Sequence, residues 1–456
     1  MSAPLTYAIL GAARSGLAAA RLLRLEGAAV LVSDVRPESE SAPAVAVLRE
    51  IGAEYEFGGH TDRVLEQDVL VLSPGVPDTV PIVRRAVERG MVVTNEIDIA
   101  ATRSRGRVVA ITGTNGKTTT TELTGHILRG AGLDTFVAGN VGTPFSAVAG
   151  ETSGESVTVL ELSSFQLEHI NALHPDVAVV LNITPDHLDR YPDIEAYAAA
   201  KMRITGNQGA ADALVYNADD ERIARLVETS RARQIGFSLG TPQTPGAWTG
   251  NGRVHLKLSD NSTQTLPNSE EEIMIQVDAI RIRGPHNLYN AMAAALAARA
   301  LGVGADAIRE GLESFPGVPH RLEPVRELEG VRYVNDSKAT NVDALWYALS
   351  SFTEPIVLIA GGRSKKNEYD AIIPLVRDHV RAVVLVGEAA EEMASAFSAC
   401  TRVLRAGFDM EEAVRLAHDT AERGDVVLLS PACASFDMFN NYEHRGDAFK
   451  KAVQGL

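Results

Sequence analysis

The stretch Val108–Glu122, "VVAITGTNGKTTTTE", carries an apolar run into a Gly-X-X-Gly-Lys-Thr turn, and a helix-compatible run leaves it. Strand, tight turn and helix in that order are the building unit of a parallel α/β sheet. Glycines at the turn let backbone N–H groups close around a phosphate at the helix N-terminus. A strict phosphate loop places glycine five residues before its Gly-Lys pair. Here that position is Ile111, and the tightening glycine is Gly113. The expected nucleotide-phosphate ligands are Gly113, Thr114, Asn115, Gly116, Lys117, Thr118 and Thr119. Lys117 would reach the outer phosphates, and the Thr118 hydroxyl would face Mg2+. A switch, a motor, a kinase or a ligase could each use such a loop.

Working outward, strand-like and helix-like runs alternate through most of the chain, the pattern of parallel sheets covered by helices. Before the loop stand "YAILG", "AVLVSD", "DVLVLSPG" and "MVVTNE", followed by the basic linker "ATRSRGR". After it come "VTVLELSS", "DVAVVLNIT" and "DALVYN". A Gly-, Pro- and Ser-rich region between Gly236 and Arg283 predicts loops with a few antiparallel strands, and an alanine-rich helix follows over Asn287 to Leu301. "VRYVNDS", "PIVLIAGG", "AVVLVGE" and "DVVLLSPA" form a third block. At ~150 residues per domain the chain has room for about three. The expected fold class is α/β with a Rossmann-like domain over 1–97, a central phosphate-loop ATPase-like domain over 98–302 and a C-terminal Rossmann-like domain over 303–456. The central domain should join a parallel sheet to a small antiparallel part.

The 45% hydrophobic and 22% charged content is that of a folded globular chain. A formal charge of −16 argues against general affinity for nucleic acid or an anionic membrane, so an anionic ligand must meet local Lys and Arg. Cys400 and Cys433 are too few for a disulfide framework or a cysteine metal site. No run approaches the ~18 to 20 apolar residues that span a bilayer. A cytoplasmic protein is expected, and a monomer, since no long apolar patch or heptad is evident.

Candidate site residues sit where strands end. "AILGAARSG" puts Gly11 and Gly16 at a strand-to-helix turn, with Asp34 closing the next strand. The middle glycine of a dinucleotide fingerprint is replaced by Ala13, whose Cβ would crowd a pyrophosphate. A redox cofactor is therefore disfavoured. "VLELSSFQLEHI" ends an apolar strand on Glu161, a position where a carboxylate is costly unless paired or metal-bound. "LNITPDHLDRYP" brings Asp186, His187, Asp189 and Arg190 to another strand end, and His187 is a candidate for metal or phosphate chemistry. On composition alone Lys201, in "AYAAAKMRI", is a solvated helix lysine.

Together "GTNGKTTT", "GNVG", "ELSSFQLE", "NITPDHLDRY", "GPHNLYNAMAA", "FPGVPHRLE", "VNDSKATN" and "LSPACASFD" resemble the Mur ligases of peptidoglycan synthesis, in order and over nearly the whole chain. The resemblance is strongest to the members that add D-glutamate. It implies ATP, Mg2+ at two sites, UDP-N-acetylmuramoyl-L-alanine and D-glutamate as ligands, with an acyl phosphate and a tetrahedral intermediate between them. It assigns Gly11, Arg14, Ser15, Asp34, Arg36, Ser73 and Gly75 to the UDP-sugar and Asn140 to orienting the acceptor. Lys117, Glu161, His187 and Lys201 become catalytic. Thr118, Glu161, His187 and a carbamylated Lys201 become metal ligands. Asn287 and Asn290 are implied near the adenine, Arg321 at the phosphates and Asp336 at the ribose. Lys338, Thr340, Lys365, Ser435 and the backbone of Tyr442 are implied around D-glutamate, with Lys366 the alternative to Lys365. The rivals are a sister ligase adding another amino acid and a sensor that binds UDP-sugar and ATP without chemistry.

Overall fold

The computed structural model describes residues 5–186, 190–258, 273–364 and 367–456. It contains three sheets, and each carries one of the three blocks read from the sequence. The first comprises β1 (Thr6–Leu10), β2 (Ala29–Asp34), β3 (Glu54–Phe57), β4 (Val69–Leu72) and β5 (Val92–Asn95), in the order β3-β2-β1-β4-β5. All four pairings are parallel. The order reverses between β1 and β4, and a sheet of this kind opens a ligand crevice at such a switch, beyond the carboxyl ends of its strands.

The second sheet comprises β6 (Arg107–Thr112), β7 (Thr135–Gly139), β8 (Val157–Glu161), β9 (Val177–Val180), β10 (Ala213–Asn217), β11 (Arg233–Ser238), β12 (Gly246–Gly250), β13 (Arg253–Lys257) and β14 (Ile273–Gln276). Its order is β14-β13-β12-β11-β10-β9-β6-β8-β7. The strands from β6 to β12 pair in parallel, and β12-β13-β14 supply the antiparallel part expected between Gly236 and Arg283. β6, β8 and β9 sit side by side and are buried almost throughout, which is why each reads as an unbroken apolar run. The helix Pro285–Ala300 shows no exposed face over 291–298, so its alanines are core rather than surface.

The third sheet comprises β15 (Glu323–Leu328), β16 (Val331–Asn335), β17 (Ile356–Gly361), β18 (Val380–Val386), β19 (Arg402–Gly407) and β20 (Val426–Leu429), in the order β15-β16-β20-β17-β18-β19. Only β15 runs antiparallel to its neighbour. The carboxyl ends of β16, β20 and β17 are adjacent and release three loops, over 336–341, 430–437 and 362–364.

By compactness the chain divides into two units: Met1–Ile280 with Tyr289–Ser314, and Arg281–Leu288 with Phe315–Leu456. The first two sheets belong to the first unit. The helix Ala305–Ser314 belongs to the same unit, packing so closely on the helix Lys117–Gly130 that a Cβ on Gly311 would lie 2.6 Å from Ile127.

Candidate active site

The switch point of the first sheet brings Gly11, after β1, against Ser73, after β4. The Ser73 hydroxyl donates to the Gly11 carbonyl at 3.2 Å. A Cβ on Gly16 would lie 1.9 Å from that carbonyl oxygen, so only glycine lets helix Arg14–Leu25 start there. Asp34, at the end of β2, accepts from the backbone of Ala12 at 2.7 Å and of Arg36 at 2.9 Å, and from the Arg36 guanidinium. Burial alone would raise its carboxyl. The Arg36 guanidinium and the two backbone N–H groups outweigh that and hold it at about 2. Arg14 is exposed and reaches the Gly142 carbonyl at 3.1 Å; Ser15 is half-buried and Gly75 exposed. The structure thus gathers the sequence-predicted residues of this crevice around one turn.

The phosphate loop follows β6. Gly116 adopts φ 85°, and a Cβ there would lie 2.3 Å from Asn290 Oδ1, so the loop floor admits no side chain. Asn290 also accepts from Thr120 at 3.2 Å, which places its amide beneath the loop. Asn182, after β9, grips the loop through Asn115 N at 2.8 Å and Asn115 O at 3.0 Å. Thr114 is held by Thr184 and Tyr197. Thr118 and Thr119 open the helix and are both buried.

Lys117 Nζ donates to the carbonyls of Gly113 at 2.9 Å and Thr114 at 2.8 Å. Lys201 Nζ donates to the same Gly113 carbonyl at 2.9 Å. Lys201 corrects the composition-based expectation: it is 1% exposed, because helix Ile194–Met202 turns this face into the second sheet's ligand edge, over the Tyr197 ring. Burial and the neighbouring Lys117 ammonium push its amine well below the usual lysine range, against the pull of Asp186 and Glu161. Glu161, 3% exposed at the end of β8, accepts from Asn140 Nδ2 at 3.0 Å. His187, Asp189, Lys365 and Lys366 lie outside the described residues.

A polyphosphate and a divalent cation fit this geometry. Asn115 Nδ2 is buried with no partner among the described residues. The Gly116 cradle is backbone only. Glu161 and Thr118 offer hard oxygen donors of the kind Mg2+ takes. Elsewhere Asp78, Glu168 and His169 bring ligand atoms within 4.8 Å of one another, but Glu168 is engaged by Arg190 and Tyr191, and Asp78 by His169.

In the second unit, Asp336 follows β16 and accepts from Ser430 Oγ at 2.9 Å and Leu322 N at 3.2 Å. Burial pushes its carboxyl up to about 7, against the Ser430 hydrogen bond and the charge of Arg321. Arg321 Nε is buried with no partner among the described residues. Burial, with Arg321 adding to it, lowers His286 to about 4. Asn287 donates to the Arg283 carbonyl at 2.7 Å. Lys338 lies with Nζ 5.3 Å from the centre of the Tyr442 ring, Thr340 is half-buried in the same loop, and Ser435 is buried in the loop after β20. Asn182 and Arg445 carry little signal in the letters. An asparagine directly after a buried strand was the available signal for the first, and Arg445 left none in a polar helix.

The family models that match are "Mur ligase MurD-like, N-terminal domain" over residues 6–95, "Mur ligase middle domain" over 111–298 and "Mur ligase, glutamate ligase domain" over 320–433. A UDP-N-acetylmuramoylalanine–D-glutamate ligase of Salinibacter ruber is 50% identical, covering 98% of this chain and 97% of its own. The ligase of the same description in Chloroherpeton thalassium is 45% identical over 98% of each. Among solved structures, a pseudomurein peptide ligase type C from Methanothermus fervidus superposes with a TM-score of 0.60 at 21% identity, over 99% of both chains. That last likeness speaks to the fold.

Proposed function

The chain belongs to the Mur ligase family, and we propose that it joins D-glutamate to UDP-N-acetylmuramoyl-L-alanine at the expense of ATP, in peptidoglycan precursor synthesis. The observation that carries this reading is the convergence of Lys117 and Lys201 on one loop carbonyl beside the buried Glu161. The Lys117 ammonium, a buried carboxylate and a buried lysine amine held below its usual range suit, at a phosphate loop, phosphoryl transfer, where catalysis is positioning and charge neutralisation. The functional modules are 1–97, 98–302 and 303–456.

A carboxylate does not condense with an amine near neutrality, because its oxygen is a poor leaving group. The γ-phosphoryl group of ATP passes to the L-alanine carboxylate, and ADP leaves. The D-glutamate amine then attacks the acyl carbon, the tetrahedral intermediate expels phosphate, and the new amide loses a proton. Backbone N–H groups over Gly113 to Thr119 and the Lys117 ammonium neutralise the phosphate oxygens. Asn140 orients the acceptor. Gly11, Arg14, Ser15, Asp34, Arg36, Ser73 and Gly75 hold the UDP moiety. Asn287, Asn290, Arg321 and Asp336 serve ATP. Lys338, Thr340, Lys365, Ser435 and the Tyr442 backbone serve D-glutamate. Thr118, Glu161, His187 and a carbamylated Lys201 would hold magnesium at two sites, which supplies positive charge against the phosphoryl oxygens.

The test is phosphate release with ATP, Mg2+ and UDP-N-acetylmuramoyl-L-alanine against a panel of amino acids. Release confined to D-glutamate is expected. Release with L-lysine or diaminopimelate would transfer the chain to a sister activity, and silence with every amino acid would leave a non-catalytic binder.

A further inference from the structure

Arg445, in helix Tyr442–Gln454, is 1% exposed, and no carboxylate lies within ion-pair distance of it among the described residues. Its guanidinium is spent on neutral acceptors. Nε donates to Ser337 Oγ at 3.0 Å, Nη2 to the Ser337 carbonyl at 2.7 Å and Nη1 to the Cys433 carbonyl at 3.0 Å. The Ser337 hydroxyl in turn donates to the Tyr442 carbonyl at 2.8 Å. The turn after β17 closes on the same group, since a Cβ on Gly362 would lie 3.1 Å from Nη1. One fork therefore joins the loops after β16 and β20, the turn after β17 and the start of its own helix. The loops after β16 and β20 and the start of the helix carry Lys338, Thr340, Ser435 and Tyr442.

Burial pushes the guanidinium down to about 10, with Cys433, Asp437 and Asp336 drawing it back, so it keeps its charge near neutrality. A buried cation without a counter-ion is costly, and a well-packed apolar side chain would fill the space with less penalty. Asp437 and Asp336 act on it only at a distance, and retaining the charge makes sense where an anionic substrate adds to them. A planar five-donor fork also fixes three acceptors that a lysine cannot reach together.

We propose that Arg445 is a positioning residue for the amino-acid substrate: it locks together the loops that receive a dicarboxylate and gives them a positive potential, without touching the ligand. This rests on the ligase reading above, and the experiment separates the two. The full-length enzyme is assayed with ATP, Mg2+ and UDP-N-acetylmuramoyl-L-alanine, and KM is measured for each of the three substrates in wild type, Arg445→Met and Arg445→Lys. A wild type inert toward D-glutamate would refute the ligase reading itself. Given an active wild type, Arg445→Met should raise KM for D-glutamate roughly 10- to 100-fold while the other two KM values stay within about twofold. Arg445→Lys, which keeps the charge and loses the fork, should fall between. A common rise of all three KM values would overturn the proposal, as would an unchanged KM for D-glutamate with only kcat reduced. If the Met variant does not fold, the Lys variant is read by the same rule.

Discussion

Glu96 lies in helix Glu96–Ala101, 2% exposed, with Oε1 accepting from Ser146 N at 2.5 Å and Oε2 buried without a partner among the described residues. Burial raises its carboxyl to about 7, against the Ser146 hydrogen bonds. The folded state therefore holds the proton more tightly than the unfolded chain. The stability this contributes is complete below the ordinary glutamate range and is lost as pH rises through 7. Glu96→Gln, a mimic of the protonated form, should match wild type at pH 5 and exceed it at pH 8.5, by up to roughly 3 kcal/mol. Urea midpoints at the two pH values measure this; an equal offset at both would show that the charge is not the cause. At Lys201 the issue is charge, since burial and the Lys117 ammonium, which shares the Gly113 carbonyl with it, both disfavour a second cation there. Addition of CO2 would place an anion there instead. Lys201→Ala should cut turnover at least roughly 100-fold, and a short added carboxylic acid should restore part of it. Undiminished turnover would remove Lys201 from the chemistry.

At the scale of elements, the unit from β6 through the loop into helix Lys117–Gly130 depends on Gly116, where positive φ and the Asn290 amide coincide. Gly116→Ala combines backbone strain of about 1 to 3 kcal/mol with a displaced Asn290. Nucleotide affinity, followed by calorimetry, should collapse while the UDP-sugar still binds; retained nucleotide affinity would mean that the loop tolerates a side chain. The same unit was legible in the letters because β6, β8 and β9 are buried on both faces and read as apolar runs. β3 ("EYEF"), β15 ("EPVREL") and β19 ("RVLRAG") were not, since they are sheet-edge strands with charged, exposed positions and no burial to impose a pattern. β7 ("TFVAG") is an edge strand too, half-buried over Thr135 to Val137 and short of a continuous apolar run. The strand-end residues Gly11, Asp34, Gly116 and Glu161 could be found because they follow apolar runs. Lys201 and Arg445 could not, since nothing in a helix of mixed composition says which face meets a sheet edge.

For the molecule as a whole, the first two sheets share one compact unit and one apolar cluster, in which Leu22 and Ile97 join Phe145 and Leu167, and buried polar contacts add to it. Asn95, at the end of β5, donates to the Gln166 carbonyl at 2.6 Å. One turn later the Asp98 carboxylate accepts from the backbone of Asn171 at 2.7 Å, Ala172 at 2.8 Å and Leu173 at 3.0 Å. A carboxylate that collects three consecutive N–H groups acts as a cap for a segment that lies outside any helix or strand. That segment continues helix Ser164–Leu167, which begins three residues after Glu161. Asp98 thus links the module carrying the uridine crevice to the one carrying the phosphate loop. Removing it strands one buried N–H and two more accessible ones, at about 1 to 3 kcal/mol for each that water cannot reach. Asp98→Ala should destabilise the first unit by roughly 2 to 4 kcal/mol and split its urea transition in two, with fluorescence and circular dichroism no longer coinciding. Asp98→Asn keeps one acceptor oxygen and should lose less. A single transition at the wild-type midpoint would mean that apolar packing alone couples the two sheets.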